Sequence, residues 1–566
     1  MIKPIHTAFH RTITCVRSCM FVLLIWISPL GVFAQTTHTV TNTDDAGPGS
    51  LRQTVADAEP GDSIIFDQQL IGQTLSLSSG QINIDKNLTI TGPGADAFII
   101  SGSNLFRIFE ILSDITATLS ELTLTEGSGE LNGGGISVGQ RASLSVDQVI
   151  IRGNTATDNG GGIYNGPVAS TTITNSVITE NTALGELSPN GGAVYNAGGF
   201  VHIENSELTQ NQSLRGGGIW NAGGSTMTIN SSLIKDNTAT IDGGGIYNNN
   251  KLTITSSTIT GNQADSEAGG LKNRGSDTLA IINSTVSENQ SGRAGGIQNT
   301  TFGTIVIQNT TVYGNRSSLP GAGIITEETT QTLIYSSIIA LNVENNSTQS
   351  DLLDLGFISS QGFNFIGNGD ASRSVENSRR FERRVTDFVG SDVFSLDPGL
   401  SSLTDFGGLT QAHAPLAHSP IIDNGDCSMS GLMFDQRGEP RVVDVPGIGF
   451  SNPGDGCDIG AIEASASLAL PDEDEAIPQS NTLEPAFPNP FQHQTTFKIA
   501  LEREQEVTIT LHNVTGQLVR TIHAGFLLPN RAYSFDINAG SLASGIYMYK
   551  VSGKYFEESR PVLLLK

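Results

Sequence analysis

Positive charge is scarce in this chain. Among 566 residues, 30 Lys and Arg face 56 Asp and Glu, a formal net charge of −26. A surface this acidic repels nucleic acid and anionic lipid, which excludes nucleic-acid binding as a function class. Charge of either sign is thin, at 15% of residues against about 25% in an average globular protein. Aromatic residues make up only 6%, and there are four cysteines. Helical periodicity is missing, so bundles and coiled coils are excluded.

Long apolar runs are also missing, with one exception near the start. Lys3, Arg11 and Arg17 precede "MFVLLIWISPLGVFA", which ends at the small residue Ala34. That run is shorter than the roughly 20 residues a bilayer span needs, so residues 1–34 read as a cleavable export signal. Its removal takes away three positive charges and no acidic ones, moving the net charge from −26 to −29. Cys15 and Cys19 leave with it. Cys427 and Cys457 then remain as a pair in an exported chain, where a disulfide is expected. No transmembrane segment is expected after the signal is removed.

What the chain does have is glycine, 65 residues of it, well above the usual ~7%. Much of it recurs in one phrase: "GGGIYN" at 160–165 and 243–248, and "GGGIWN" at 216–221. Aligning the aliphatic residue after the glycines gives Ile136, Ile163, Val194, Ile219, Ile246, Leu271, Ile297 and Ile324, with gaps of 27, 31, 25, 27, 25, 26 and 27. Each period holds two more short alternating pieces, with inward candidates such as Ile229/Ile234 and Ile254/Ile259. Three short strands in about 26 residues fit one turn of a parallel β-helix, whereas propeller blades need about 40–50. At ~4.8 Å per coil, the eight registered rungs span about 38 Å.

Stacking of coils accounts for two columns of asparagine. One is Asn154, Asn181, Asn211, Asn237, Asn262, Asn289 and Asn315, and the other is Asn165, Asn196, Asn221, Asn248, Asn273 and Asn299. Side-chain amides stacked at bends can bond from coil to coil as a ladder. The residue after the inward aliphatic points outward, and that column reads Ser137, Tyr164, Tyr195, Trp220, Tyr247, Lys272 and Gln298. Tyr164, Tyr195, Trp220 and Tyr247 therefore predict an exposed aromatic stripe, which either binds sugar rings or a protein partner, or stacks on itself and stiffens the sheet.

Catalysis and metal binding find little support. Asp236, Asp242, Glu267, Glu288, Arg215, Lys235 and Arg293 fall at turns and share no column, so no catalytic constellation, metal site or cofactor is expected. "NTDD" at 42–45 reads as a turn, without the companion motifs of a polygalacturonase-like hydrolase. His413 and His418 are spaced like ligands within a Pro-containing loop. "RRFERR" at 379–384 reads as a solvated loop.

The flanks carry resemblances. "GSLRQTV" and "GDSIIF" resemble the N-terminal caps of bacterial surface β-helix proteins, whose consensus runs "GSLREAI" before "GDTI", and more generally the pectate-lyase-like superfamily. That cap predicts a short helix from Ser50 to Ala58, with Ser50 as N-cap, and a strand near Ile64–Phe66. The segment 359–463, including "FDQRGEPR" and "GDGCDIGAIE", resembles the closing cap of the same group. It would be stapled by Cys427 and Cys457, with Asp435, Arg437 and Asp458 as paired structural charges. Residues 464–482, acidic and patternless, read as a linker.

Residues 483–566 alternate strictly at Phe497, Ile499 and Leu501 and again at Val507, Ile509 and Leu511, so they read as a small separate β-sandwich. They resemble the C-terminal sorting domain of type IX secretion through Pro488, Asn489, Pro490 and Phe491 of "FPNPF", Gly516, Gly545 and Tyr547 of "LASGIY", and the closing Lys566. The resemblance implies the type IX machinery as partner and secretion or outer-membrane surface attachment.

The expected fold is thus all-β, a right-handed parallel β-helix followed by a small C-terminal β-sandwich. Its parts are a signal (1–34), an N-terminal cap with first coils (35–125), the glycine-repeat helix (126–340), last coils and a disulfide-bonded cap (341–463), the linker (464–482) and the sorting domain (483–566). The expected role is an adhesin or glycan-binding stalk, touching extracellular polysaccharide or a host or neighbour surface. The alternative is a polysaccharide lyase or glycoside hydrolase whose site the sequence does not reveal.

Overall fold

The computed structural model describes residues 35–566 except 187, 346–347, 371–377, 380, 418, 429, 446–453, 465–480, 484, 487–488, 492–493, 504, 528–531, 541 and 566. The expected export signal, most of the expected linker, Pro488, Lys566 and His418 lie outside the described residues.

From Thr37 to Val389 the chain winds as a parallel β-solenoid. A representative coil runs Ile219–Asn221, Thr226–Asn230, Leu233–Lys235 and Thr238–Asp242. These strands stack in register on their counterparts in the next coil, as in Ile219 on Ile246, Ile229 on Ile254 and Ile234 on Ile259. The result is four sheets of 11, 13, 13 and 10 strands, called here first to fourth in the order the coil visits them. The sequence predicts only three strands per coil. The fourth is often two residues long, as at Thr155–Ala156 and Thr182–Ala183, too short to register as alternation.

Apolar columns from the first three sheets fill the interior, two of them from the second sheet, where both Met227 and Ile229 point inward. Ile219, Ile229 and Ile234 of the representative coil are 0–1% exposed, as are their equivalents along the solenoid. The repeated glycines make the corner before the first sheet. Gly216 has φ +63°, and a Cβ on it would stand 2.3 Å from the carbonyl oxygen of Ile219. On Gly217 a Cβ would stand 2.4 Å from the carbonyl oxygen of Gly244 on the next coil. The first glycine meets a backbone requirement and the second a close approach between coils.

Both asparagine columns form ladders in the interior. Asn211 Nδ2 donates to Asn237 Oδ1 (2.9 Å), and Asn237 Nδ2 donates to Asn262 Oδ1 (2.9 Å). Backbone N–H groups join at 3.0 Å, from Asn211 to Asn237 Oδ1 and from Asn237 to Asn262 Oδ1. Asn342 continues this ladder and donates to Asp351, whose carboxylate also accepts from Gln349 and from the Asn368 backbone. The second ladder runs from Asn165 through Asn196, Asn221, Asn248 and Asn273 to Asn299. Buried amides in this arrangement leave few donors unpaired, which is the condition for placing them inside at all.

The N-terminal end is covered by the helix Leu51–Asp57, whose N-cap Ser50 accepts from the Gln53 N–H. Its Leu51 and Val55 join the solenoid core. Near the other end, Phe365–Ile366 pairs with Phe388–Val389, and Phe381 enters the core. Residue Phe381 of "RRFERR" is therefore packed rather than solvated.

The described part of 410–463, expected as a closing cap, lies along the outer face of the third sheet, against Thr258, Thr285 and Thr311. Thr285 Oγ1 donates to Gln436 Oε1 (2.7 Å), Arg441 Nη2 donates to Asn283 Oδ1 (2.6 Å) and the Ala461 N–H donates to Thr311 Oγ1 (3.1 Å). The sheet offers Thr258, Thr285 and Thr311 there, polar positions that suit a hydrogen-bonding cover. Cys427 and Cys457 are bonded within this flank. Asp435 pairs with Arg437 (2.7 Å), whereas Asp458 accepts instead from the backbone N–H groups of Asp423 and Ala464.

The last part is two antiparallel sheets. One joins Thr482–Leu483, Gln494–Ala500 and Ala532–Asn538, and the other joins Leu518–Leu527, Gln505–Asn513, Gly545–Gly553 and Glu557–Leu564. Phe497, Ile499, Val507, Ile509 and Tyr549 form its core.

Candidate functional site

Tyr164, Tyr195, Trp220 and Tyr247 occupy one register column of the first sheet. Because parallel coils place identical positions one strand spacing apart, the four rings are forced face to face. Successive centroids are 5.6, 6.3 and 4.2 Å apart, with interplanar angles of 9°, 5° and 14°. The ring faces are therefore spent on one another, and Tyr247 is only 3% exposed. Of the two readings the sequence offers, the rings stack on one another, and the expected exposure is corrected to half-buried ring edges at Tyr164, Tyr195 and Trp220. Burial pushes the Tyr164 and Tyr195 hydroxyls up, with Asp158 adding to the shift. The Trp220 indole N–H has no hydrogen-bond partner among the described residues.

Lys272 follows Tyr247 in the same column, with its Nζ 5.8 Å from the Tyr247 centroid. It leads to a charged ladder absent from the sequence expectations. Arg215, Asp242, Glu267 and Arg293 pair coil to coil on the fourth sheet. Lys272 Nζ bridges them, 3.1 Å from Asp242 and 2.5 Å from Glu267. Arg215 lies 3.7 Å from Asp242, and Arg293 lies 3.7 Å from Glu267 and also pairs with Glu327. Burial would push the Glu267 carboxyl up, but Lys272, Gln298 and Arg293 outweigh it and hold it below its ordinary value.

The expectation that these charges share no column is thus overturned. Register shifts between Ser213 and Arg215 and between Ala264 and Glu267 hide the alignment from anyone counting forward from the asparagines. Counting back four residues from Ile219, Ile246, Leu271 and Ile297 lands on Arg215, Asp242, Glu267 and Arg293 every time. Asp236 and Lys235 stand apart, on the turn and the third sheet.

Stack and ladder meet at a cleft of about 500 Å³ lined by Arg215, Trp220, Asp242, Tyr247, Glu267, Lys272, Arg274, Thr300 and Thr301. Arg274 is exposed and makes no ion pair among the described residues. Aromatic edges, guanidinium donors, carboxylate acceptors and threonine hydroxyls thus line one open depression. Such a wall can hydrogen-bond a polyhydroxylated ligand while the apolar edges meet its C–H surface.

Other candidate positions are structural. Asp45 of "NTDD" bonds Arg52 (2.7 Å) and Ser78 (3.1 Å), tying the N-terminal helix to the first coils. His413 is buried between Ser287 Oγ (2.7 Å) and the Ser401 carbonyl (2.8 Å). Cys427, Asp455 and Cys457 cluster like metal ligands, but both sulfurs are committed to the disulfide. In the terminal domain Phe491 is buried, Asn489 bonds the backbone of Pro561 and Leu563 beside Pro490, and the Tyr547 hydroxyl donates to the Ala543 carbonyl. Gly516 and Gly545 have φ +80° and +157°.

The comparisons with known proteins agree with this architecture. Residues 75–290 match the model of the right handed beta helix region, and residues 485–562 match that of the secretion system C-terminal sorting domain. The chain is a right-handed β-helix protein with a type IX sorting tail. That tail sends it through type IX secretion to the cell surface or the extracellular medium. Among the described residues, no helix is long and apolar enough to cross a membrane. No curated protein matches the chain.

Proposed function

We propose that the exported protein is a glycan-binding rod, serving at the cell surface as an adhesin or stalk. The observation that carries this reading is the cleft where the aromatic stack meets the charged ladder. It offers sugar hydroxyls both donors and acceptors on a stiff backbone, so little ordering cost accompanies binding. Export by the sorting tail to the cell surface or the extracellular medium supports this reading. Removal of residues 1–34 and attachment or release of the body belong to the same proposal.

A polysaccharide lyase or hydrolase is the second reading, favoured by the closeness of Asp242, Glu267 and Lys272 on neighbouring coils. Against it, the Lys272 amine is already engaged by both carboxylates, 3.1 Å from Asp242 and 2.5 Å from Glu267. One experiment separates the two. The exported chain is incubated with a panel of acidic and neutral polysaccharides, recording retention of intact polymer together with new reducing ends and unsaturated products. Retention without cleavage is expected. Cleavage would replace the adhesin reading with the enzyme, and neither retention nor cleavage would defeat both.

A further inference from the structure

We infer that the cleft selects glycans bearing an anionic substituent and that Arg274 is the residue that selects them. This rests on the glycan-binding reading and narrows it to a ligand class. Arg215, Lys272 and Arg274 face Asp242 and Glu267 in the lining, so three cations oppose two carboxylates. One positive charge is left over, in a chain whose formal net charge is −26.

The partnering of each group says where that charge resides. Asp242 takes Arg215 (3.7 Å) and Lys272 (3.1 Å), and Glu267 takes Lys272 (2.5 Å) and Arg293 (3.7 Å). Lys272 is committed to two carboxylates and its side chain is only 9% exposed. Arg274 has none of these ties. It extends from the end of the first-sheet strand Leu271–Asn273, where its backbone N–H donates to the Asn248 carbonyl (2.7 Å) and fixes its base. Its guanidinium is free to form a bidentate pair with a planar carboxylate or a sulfate, which a neutral sugar cannot supply. The hydroxyl-bearing residues Thr300 and Thr301 line the same cleft one coil further on. A sugar acid or sulfate ester would thus sit with its charge on Arg274 and its ring toward Trp220 and Tyr247.

The test uses the exported chain with dextran sulfate, alginate and unmodified dextran as probes. Dextran and dextran sulfate share a backbone, so their difference isolates the anionic group, and alginate distinguishes a carboxylate from a sulfate ester. Wild type is expected to bind at least one anionic polymer tenfold or more above dextran, with affinity falling as salt rises. Arg274→Ala should lose about tenfold and flatten the salt dependence, while Arg274→Lys recovers part of the loss. Its melting temperature should not move, because the side chain has no partner among the described residues to lose. Equal binding of dextran and both anionic polymers, unchanged in Arg274→Ala, would overturn the selection and leave glycan binding standing. Failure to retain any of the three would overturn both.

Discussion

Replacing Asn237 with alanine asks whether the asparagine ladder holds the coils together. The side chain is fully buried. Its Oδ1 accepts from the Asn211 backbone N–H (3.0 Å) and Asn211 Nδ2 (2.9 Å), and its Nδ2 donates to the Leu208 carbonyl (2.9 Å) and Asn262 Oδ1 (2.9 Å). Truncation orphans the buried Asn211 backbone N–H, while Asn211 Nδ2 keeps the Ile178 and Thr209 carbonyls as acceptors (both 2.9 Å). The expected destabilisation is therefore about 1–3 kcal/mol from the unmet donor. Asn237→Asp offers no rescue despite its identical shape, because a carboxylate oxygen would face two acceptors and bury a charge. Urea unfolding followed by far-UV circular dichroism measures the loss. Amide hydrogen exchange at the Asn211 and Asn262 coils should show that it spreads to both neighbours, as stability in a stacked array is carried by adjacent repeats. If both variants fall within about 1 kcal/mol of wild type, the ladder is not what secures the coils.

Three further perturbations probe other parts. Burial pushes the Asp45 carboxyl up, but hydrogen bonds from Ser79, Arg52 and Ser78 outweigh it and bring it down to about 2. A lowered carboxyl stabilises the fold above its ordinary value near 4 and loses that contribution as pH falls toward 2, so Asp45→Asn should flatten acid unfolding of the N-terminal cap over that window. Paired Cys427→Ser and Cys457→Ser changes open a loop of sequence separation 30, which the chain-entropy relation values at about 3–4 kcal/mol; limited proteolysis should then cut the flank covering the third sheet before the solenoid itself. Trp220→Phe should cost under about 1 kcal/mol because the indole N–H has no partner among the described residues to lose, whereas Trp220→Ala removes two stacked contacts and should cost about 3 kcal/mol or more by thermal denaturation.

Much of the solenoid was legible because its determinants are local and recur. An inward aliphatic, a corner glycine and a buried asparagine must each return once per coil, so the period and both ladders stand in the sequence. The Ser50 cap was legible for the same reason, since its hydrogen bond spans three residues. What escaped depends on register or on distant contact. Arg215 and Asp242 are adjacent only because a bulge absorbs one residue, and Lys272 joins them from a different sheet. The backward fold of residues 410–463 hangs on contacts such as Thr285 with Gln436, more than a hundred residues apart, which no local pattern announces. The aromatic column was visible, but its burial was not, because strand alternation gives the side a ring points to without saying what its neighbours leave uncovered.

The central claim is that the cleft beside Trp220 is where ligand binds. The chain holds two tryptophans, and Trp26 lies in the expected export signal, so in the chain from Gln35 onward Trp220 is the sole indole. Titrating that chain with a retained polysaccharide while following tryptophan emission tests the claim directly. A saturable change in emission, with the same midpoint as retention and that midpoint about tenfold higher in Arg274→Ala for an anionic polymer, is the predicted result. Retention with no change in Trp220 emission would place binding elsewhere and contradict the account.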